Sequence, residues 1–171
     1  MRARHLRLGE ALIAVGARAP RHLIIDPFQE SAFANAGWEL LEAAALHPTT
    51  RLIREPSSVA LPQLVAEAVA ADAAFIDGSH RFHEVFVDLY FLRKIVRPGG
   101  LVVVDDYDWP SVQTAVRYFE INMGWRSLDD TFAAGSTAAG SIDETKSIPR
   151  LRALRLPDPP FETPFELFKP F

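Results

Sequence analysis

The feature that most limits how this chain can fold is the stretch Ala73–Tyr107, AAFIDGSHRFHEVFVDLYFLRKIVRPGGLVVVDDY. It contains two short apolar runs, AAFI and LVVV, and each stops abruptly in acid: Asp77 after the first, Asp105 and Asp106 after the second. Runs of this length, rich in branched residues, suit buried strands. Between them Phe82, Val85, Phe86, Leu89, Leu92 and Val96 recur every three or four residues, which gives one apolar helical face. A strand, a helix and a second strand in this order pack as a crossover unit with parallel strands. Both acidic ends then lie on the same edge of the sheet.

The same alternation extends along the chain. Leu8–Val15 reads as a short helix, Arg21–Asp26 as a buried strand stopped by Pro27, and Ser31 as the cap of a helix running to about Leu46, with Pro48 closing that region. Thr50–Glu55 is a second strand. Ser57 or Ser58 opens a helix with Leu61, Leu64, Val65 and Ala68 on one side. Ala73–Asp77 is the third strand, and the helix after it stops at Arg97–Gly100. Leu101–Asp106 is the fourth strand, and a helix from about Pro110 to Asn122 carries Val112, Ala115, Val116 and Phe119. Two further strands are expected near Trp125–Ala133 and Leu151–Leu156. The small, polar segment between them, including Ala134–Ser147, reads as a mobile loop. The tail PDPPFETPFELFKPF has too many prolines for a helix, although its phenylalanines can fasten it to the domain. The expected fold is a single α/β domain over residues 1–171, with a mainly parallel sheet covered by helices on both faces. Ligands of such sheets bind at the carboxyl ends of the strands, where Asp26, Asp77, Asp105 and Asp106 stand.

Bulk properties narrow the function. A net charge of −4 without a basic block argues against nucleic acid as a partner. The absence of cysteine removes disulfides, thiolate metal sites and thiol nucleophiles, and fits a cytoplasmic setting. No apolar run approaches the roughly 20 residues that span a bilayer, so no membrane association is expected. Arg2, Arg4 and Arg7, the run ALIAVGA and Ala17-Arg18-Ala19 imitate a secretion signal. Glu10 and the strand that follows at once speak against that reading.

Any one aspartate after a strand commonly just makes a turn or caps a helix. The joint pattern says more. If the third and fourth strands are neighbours they lie about 4.8 Å apart, and Asp77, Asp105 and Asp106 then crowd together and repel unless protons or a cation intervene. A hard divalent cation such as Mg²⁺ takes oxygen ligands and keeps positions open for substrate. His80, three residues past Asp77, could accept a proton from a substrate hydroxyl, or could merely cap the next helix or hydrogen-bond a carboxylate. His83 reads as a surface or packing residue. Asp26 can accept hydrogen bonds from the two hydroxyls of a ribose, or simply close the turn DPF. Ser57 and Ser58 can cap their helix or touch an adenine edge. Asp72, Phe82 and Asp108 read as structural or rim residues.

The segments IIDPFQ, EPSSVALPQL, AAFIDGSHRFHEVFVDLYFLRKIVRPGGLVVVDDYDWPSVQTAVRYF and FKPF resemble the class I S-adenosylmethionine-dependent methyltransferases. They are most similar to a bacterial group with a FIDG-x-H strand end and an RPGG-x-VVVDD segment. The likeness spans roughly Leu8 to Arg155 and is most specific from Asp72 to Phe119. It implies a Rossmann-like sheet of seven strands, one antiparallel near the C-terminus. It implies that Asp26 holds the cofactor ribose, that Ser57 lies near the adenine and that Asp77 belongs to the cofactor rim. In metal-dependent relatives, acids at the places of Asp77, Asp105 and Asp106 bind Mg²⁺. Some sugar O-methyltransferases use a histidine at the place of His80 as the base.

The sequence departs from that pattern at its start. The family opens with a strand ending in a glycine-rich turn, normally placed between the HLII and AAFI strands. Here the chain begins at MRARHLRLGEALIAVGA, which resembles the helix after that turn. This reads as an N-terminally incomplete domain, through a start placed downstream, a degraded copy or a strand supplied by a partner. The sheet would then hold a gap, or its flanking strands would pair directly. The functional expectation is methylation of a small molecule or sugar hydroxyl with S-adenosylmethionine and Mg²⁺, His80 taking the proton. The rival is a non-catalytic binding module of the same fold. A nicotinamide enzyme is disfavoured because no G-x-G-x-x-G is present. The acceptor pocket is expected from Tyr107–Pro110 and Ala134–Ser147, and the tail could dock on a second copy to form a homo-oligomer.

Overall fold

The computed structural model describes residues 10, 14, 21–128 and 148–171. The chain forms two compact units, residues 1–60 and 61–171. The expected first helix is described only at Glu10 and Ala14, both helical. The secretion-like stretch otherwise lies outside the described residues, as do the far half of the Trp125–Ala133 segment and the loop Ala134–Ser147.

In the first unit, β1 (His22–Ile25) and β2 (Thr50–Ile53) pair in parallel, with His22 opposite Thr50 and Ile25 opposite Ile53. The connecting helix α1 (Ala36–Ala43) is shorter at both ends than its apolar spacing suggests. Ala34 and Asn35 adopt left-handed conformations, φ +47° and +59°, so the chain from Pro27 to Asn35 winds as turns and Ser31 caps nothing. At the other end Ala45 is also left-handed and ends the helix before Leu46. At Gly37 a Cβ would stand 2.7 Å from Oε1 of the buried Gln29, so a larger residue there would have to displace that side chain. Ile24, Leu41 and Leu46 form the core of this unit, flanked by Trp38 and Leu52.

Helix α2 (Ser57–Ala66) starts at Ser57 as expected and buries Leu61 and Leu64. Ala68, left-handed at φ +53°, lies beyond its end rather than on its apolar side.

The second unit contains β3 (Ala71–Ile76), α3 (Phe82–Ile95), β4 (Val96–Val104), α4 (Pro110–Asn122), β5 (Arg126–Ser127) and β6 (Arg152–Arg155). Its sheet has the order β3-β4-β6-β5. β3 and β4 are parallel, while β6 runs against both β4 and β5. The described strands thus number six, in two sheets. The antiparallel strand near the C-terminus is present as the resemblance implies.

Arg97–Gly100 does not lie between helix and strand, as its turn-like composition suggests, but inside β4. Gly99 supplies φ +69° there, and a register shift between Ala71 and Ala73 absorbs the irregularity. Gly100 lets the strands close up, since a Cβ would meet Val96 Cγ1 at 2.5 Å and the Asp72 carbonyl oxygen at 2.8 Å. Val85, Leu89, Leu92 and Ile95 of α3 and Val112, Ala115, Val116 and Phe119 of α4 are buried with Val102, Val104 and Leu154 of the sheet. Phe86 and Phe119 join the two helices at a 5.3 Å ring separation.

The proline-rich tail is fastened, chiefly by a polar clasp. Asn122, 1% exposed, donates to the Lys169 carbonyl and accepts from the Lys169 amide, both at 2.9 Å. Phe168 and Phe171 pack near Tyr118, whereas Phe165 is almost fully exposed.

Candidate functional site

The β3–β4 pairing decides where the acids go. Ile76 is opposite Val104, and the Asp105 amide donates to the Ile76 carbonyl at 2.9 Å, which extends the ladder by one residue. Asp77, Asp105 and Asp106 therefore leave adjacent strand ends together, and one carboxylate oxygen from each lies within 4.8 Å of the others. Asp106 takes a left-handed conformation, φ +54°, and its amide donates to Asp105 Oδ1 at 2.9 Å. That turn aims the two neighbouring side chains at one spot, whereas successive residues of a strand point to opposite faces.

Arg150 answers this charge. Its Nε donates to Asp105 Oδ1 at 2.8 Å, and one terminal nitrogen reaches Asp105 Oδ2 and Asp106 Oδ1, each at 3.2 Å. The Tyr107 amide donates to the Arg150 carbonyl at 2.8 Å, so the backbone is anchored there too. The Asp105 side chain is fully buried and that of Arg150 is 46% exposed. Hydrogen bonding to Asp105, then the charges of Asp105 and Asp106, hold the Arg150 guanidinium above its ordinary pKa, against the opposing effect of burial.

His80 sits on the outer side of the same cluster. Its Nε2 lies 2.7 Å from Asp106 Oδ2, and its ring stacks on Trp109 at 5.3 Å with an interplanar angle of 11°. Its carbonyl accepts a hydrogen bond from Ser111 Oγ. His80 does not cap α3: Arg81 occupies that position, and the Arg81 amide is met by Ser79 Oγ at 3.1 Å. His83 is exposed, near Glu84. Asp72 pairs with Arg97 at 2.7 Å near the opposite end of β3. Phe82 and Asp108 are exposed.

Asp26 and Ser57 belong to the first unit and Asp77 to the second. Asp26 follows β1 and closes the expected turn, its Oδ1 accepting from the Phe28 amide at 2.9 Å. Ser57 is half-buried at the first turn of α2.

A groove of about 370 Å³ runs along α4, lined by Tyr107, Pro110, Gln113, Thr114, Arg117, Glu120 and Ile121. Arg152 lies over the Tyr107 ring, 5.0 Å from its centroid, and pairs with Glu120 at 3.0 Å. Tyr107–Pro110, expected to border an acceptor pocket, supplies two of these lining residues.

Arg150 is the site residue that sequence reasoning missed. A signal existed: an antiparallel strand begins at the edge where its parallel neighbours end. A basic residue just ahead of β6 therefore lands on the acidic rim. Using that signal required knowing which strand is reversed and which strand it pairs with.

Residues 5–107 match a family model described as Methyltransferase domain, a span that includes all three clustered aspartates and His80. Solved structures show the same fold. A Klebsiella pneumoniae protein described as an O-methyltransferase superposes with a TM-score of 0.57 at 18% identity, over 88% of this chain and 80% of that one. CalS11, a TDP-rhamnose 3'-O-methyltransferase of calicheamicin biosynthesis, gives 0.59 at 20% identity, over 86% of this chain and 65% of that one. A Clostridium thermocellum protein described as an rRNA methylase gives 0.53 at 12% identity, over 88% of this chain and 95% of that one. No curated protein matches the sequence. With the family model spanning more than half of the 171 residues, and with the α/β fold in agreement, the chain belongs to the methyltransferase domain family.

Proposed function

We propose that this methyltransferase domain uses S-adenosylmethionine to methylate a hydroxyl of a small molecule, with sugars as the first acceptor class to try. The observation that carries this reading is the convergence of Asp77, Asp105 and Asp106 with His80 bonded to Asp106. The names of the Klebsiella protein and of CalS11 support oxygen as the methylated atom, and the second supports a sugar.

S-adenosylmethionine, when bound, supplies an electrophilic methyl group on sulfur. Asp26 spends Oδ1 on its turn, which leaves Oδ2 for a ribose hydroxyl, and Ser57 at the start of α2 is the proposed neighbour of the adenine. His80 is the proton acceptor. If its Nε2–H donates to Asp106, Nδ1 carries the lone pair that can take the acceptor's hydroxyl proton. Asp106 then orients the ring and stabilises the imidazolium, while Trp109 holds its face. The groove that begins at Tyr107 receives the remainder of the acceptor. Most of the rate gain in such a transfer comes from holding the two reactants in line.

The three carboxylates form a hard oxygen donor set that suits a divalent cation such as Mg²⁺. Such a cation, on Asp77, Asp105 and Asp106, would polarise the acceptor hydroxyl and ease loss of its proton. A non-catalytic binding module is the second reading. It is favoured by Arg150, which already neutralises part of the acidic rim. Isothermal titration calorimetry with S-adenosylmethionine should give a dissociation constant in about the micromolar range. Mass spectrometry should then show methyl transfer to a nucleoside-diphosphate sugar or another polyhydroxy acceptor. Absence of binding removes the enzyme reading; binding without transfer to any hydroxyl compound supports the module.

A further inference from the structure

The same carboxylate oxygens that would hold a divalent cation are the ones that Arg150 grips. Asp105 Oδ1 and Oδ2 and Asp106 Oδ1 all face its guanidinium, and the remaining Asp106 oxygen faces His80. A guanidinium and a metal ion on these oxygens would stand within a few ångströms of each other and repel. Asp105 cannot escape the choice, because its side chain is fully buried and a buried carboxylate needs a compensating charge. Arg150 can, because nearly half of its side chain is exposed and water is available to solvate it outside.

We propose that Arg150 is an exchangeable counter-cation: the guanidinium and a divalent cation are alternative occupants of the Asp105–Asp106 edge. Arg150 acts as a positioning residue that keeps the acidic rim assembled without metal and is displaced when metal binds. The inference rests on the metal reading given above. Its consequence is that cation affinity in the native protein is weakened by the work of dislodging Arg150.

The test is Mn²⁺ binding at neutral pH, followed by calorimetry and by the electron paramagnetic resonance of free Mn²⁺. Wild type, Arg150→Met and Arg150→Lys are compared, with circular dichroism to show that each is folded. Arg150→Met should bind Mn²⁺ about tenfold or more tightly than wild type, since an attraction lost to the guanidinium becomes available to the metal. Arg150→Lys should fall between, because a lysine restores the charge without the two-pronged grip. Equal or weaker binding by folded Arg150→Met overturns the exchange and leaves the metal reading standing. No binding by any of the three overturns both, while S-adenosylmethionine binding would still report on the methyltransferase reading separately. If Arg150→Met does not fold, the wild type decides. Addition of Mg²⁺ should shift the Arg150 Nε–H resonance toward that of a solvated guanidinium, and Mg²⁺ binding that leaves this resonance unmoved overturns the proposal.

Discussion

Two strand ends in this molecule carry the same sequence signature and behave differently. Asp26 follows the end of β1 and Asp105 the end of β4, each after an isoleucine- or valine-rich run. Asp26 is followed by Pro27 and turns back on its own chain, its Oδ1 held by the Phe28 amide two residues on. Asp105 is followed by a second aspartate in a left-handed conformation; Arg150, just ahead of β6, grips Asp105, and His80, from the β3–α3 loop, meets the second aspartate. A local partner makes the first acid a turn former. Distant partners make the second part of a shared electrostatic site. An acid at a strand end therefore signals chemistry only when other elements deliver charge to the same point.

The comparison can be broken experimentally, starting from the largest effect. His80→Ala should lower the methyl-transfer rate by about 10²–10⁴-fold, the usual contribution of a general base, with thermal stability changed little. An unchanged kcat would return His80 to the role of a carboxylate's hydrogen-bond partner. Asp105→Ala should destabilise the protein by about 2–3 kcal/mol in denaturant unfolding. It removes bonds to a charged donor at a buried position, and Arg150, unlike a fully buried partner, can rehydrate. Asp26→Ala should cost only about 1 kcal/mol, the value of a single turn hydrogen bond, while weakening S-adenosylmethionine binding if Oδ2 meets the ribose. A loss at Asp26 as large as that at Asp105 would mean that the two strand ends are not different in kind. Asp72→Asn, at the other end of β3, should change stability by less than about 0.5 kcal/mol, because its pair with Arg97 is exposed. It serves as the baseline against which the carboxyl-end acids are judged.

Much of the fold could be read from residues alone. The spacing of Val85, Leu89 and Leu92 and that of Val112, Val116 and Phe119 predicts α3 and α4, and the bounds of α4 agree with the expectation. The apolar runs HLII, AAFI and LVVV predict β1, β3 and β4. The errors cluster where backbone conformation overrode propensity. Ala34, Asn35 and Ala45 adopt positive φ and trim α1, although none of them is a glycine. Arg97–Gly100 looks like a turn, but it continues β4 because Gly99 takes positive φ and Gly100 leaves room for β3. The polar clasp of Asn122 on the tail had no sequence signal, since a buried asparagine in a helix looks like any surface asparagine until its partner is known.

By itself the sequence determined that Asp77, Asp105 and Asp106 share a rim. A strand–helix–strand crossover forces its strands parallel, and parallel strands have their carboxyl ends on one side. Only the tertiary structure decided what stands against those acids. Arg150 reaches them from 45 residues away because β6 runs antiparallel to β4, with Arg152 opposite Val104, so the start of β6 meets the end of β4. Periodicity carries the local geometry of an element, but the direction and neighbour of a strand are set by which surfaces it buries, and that is a property of the assembled core.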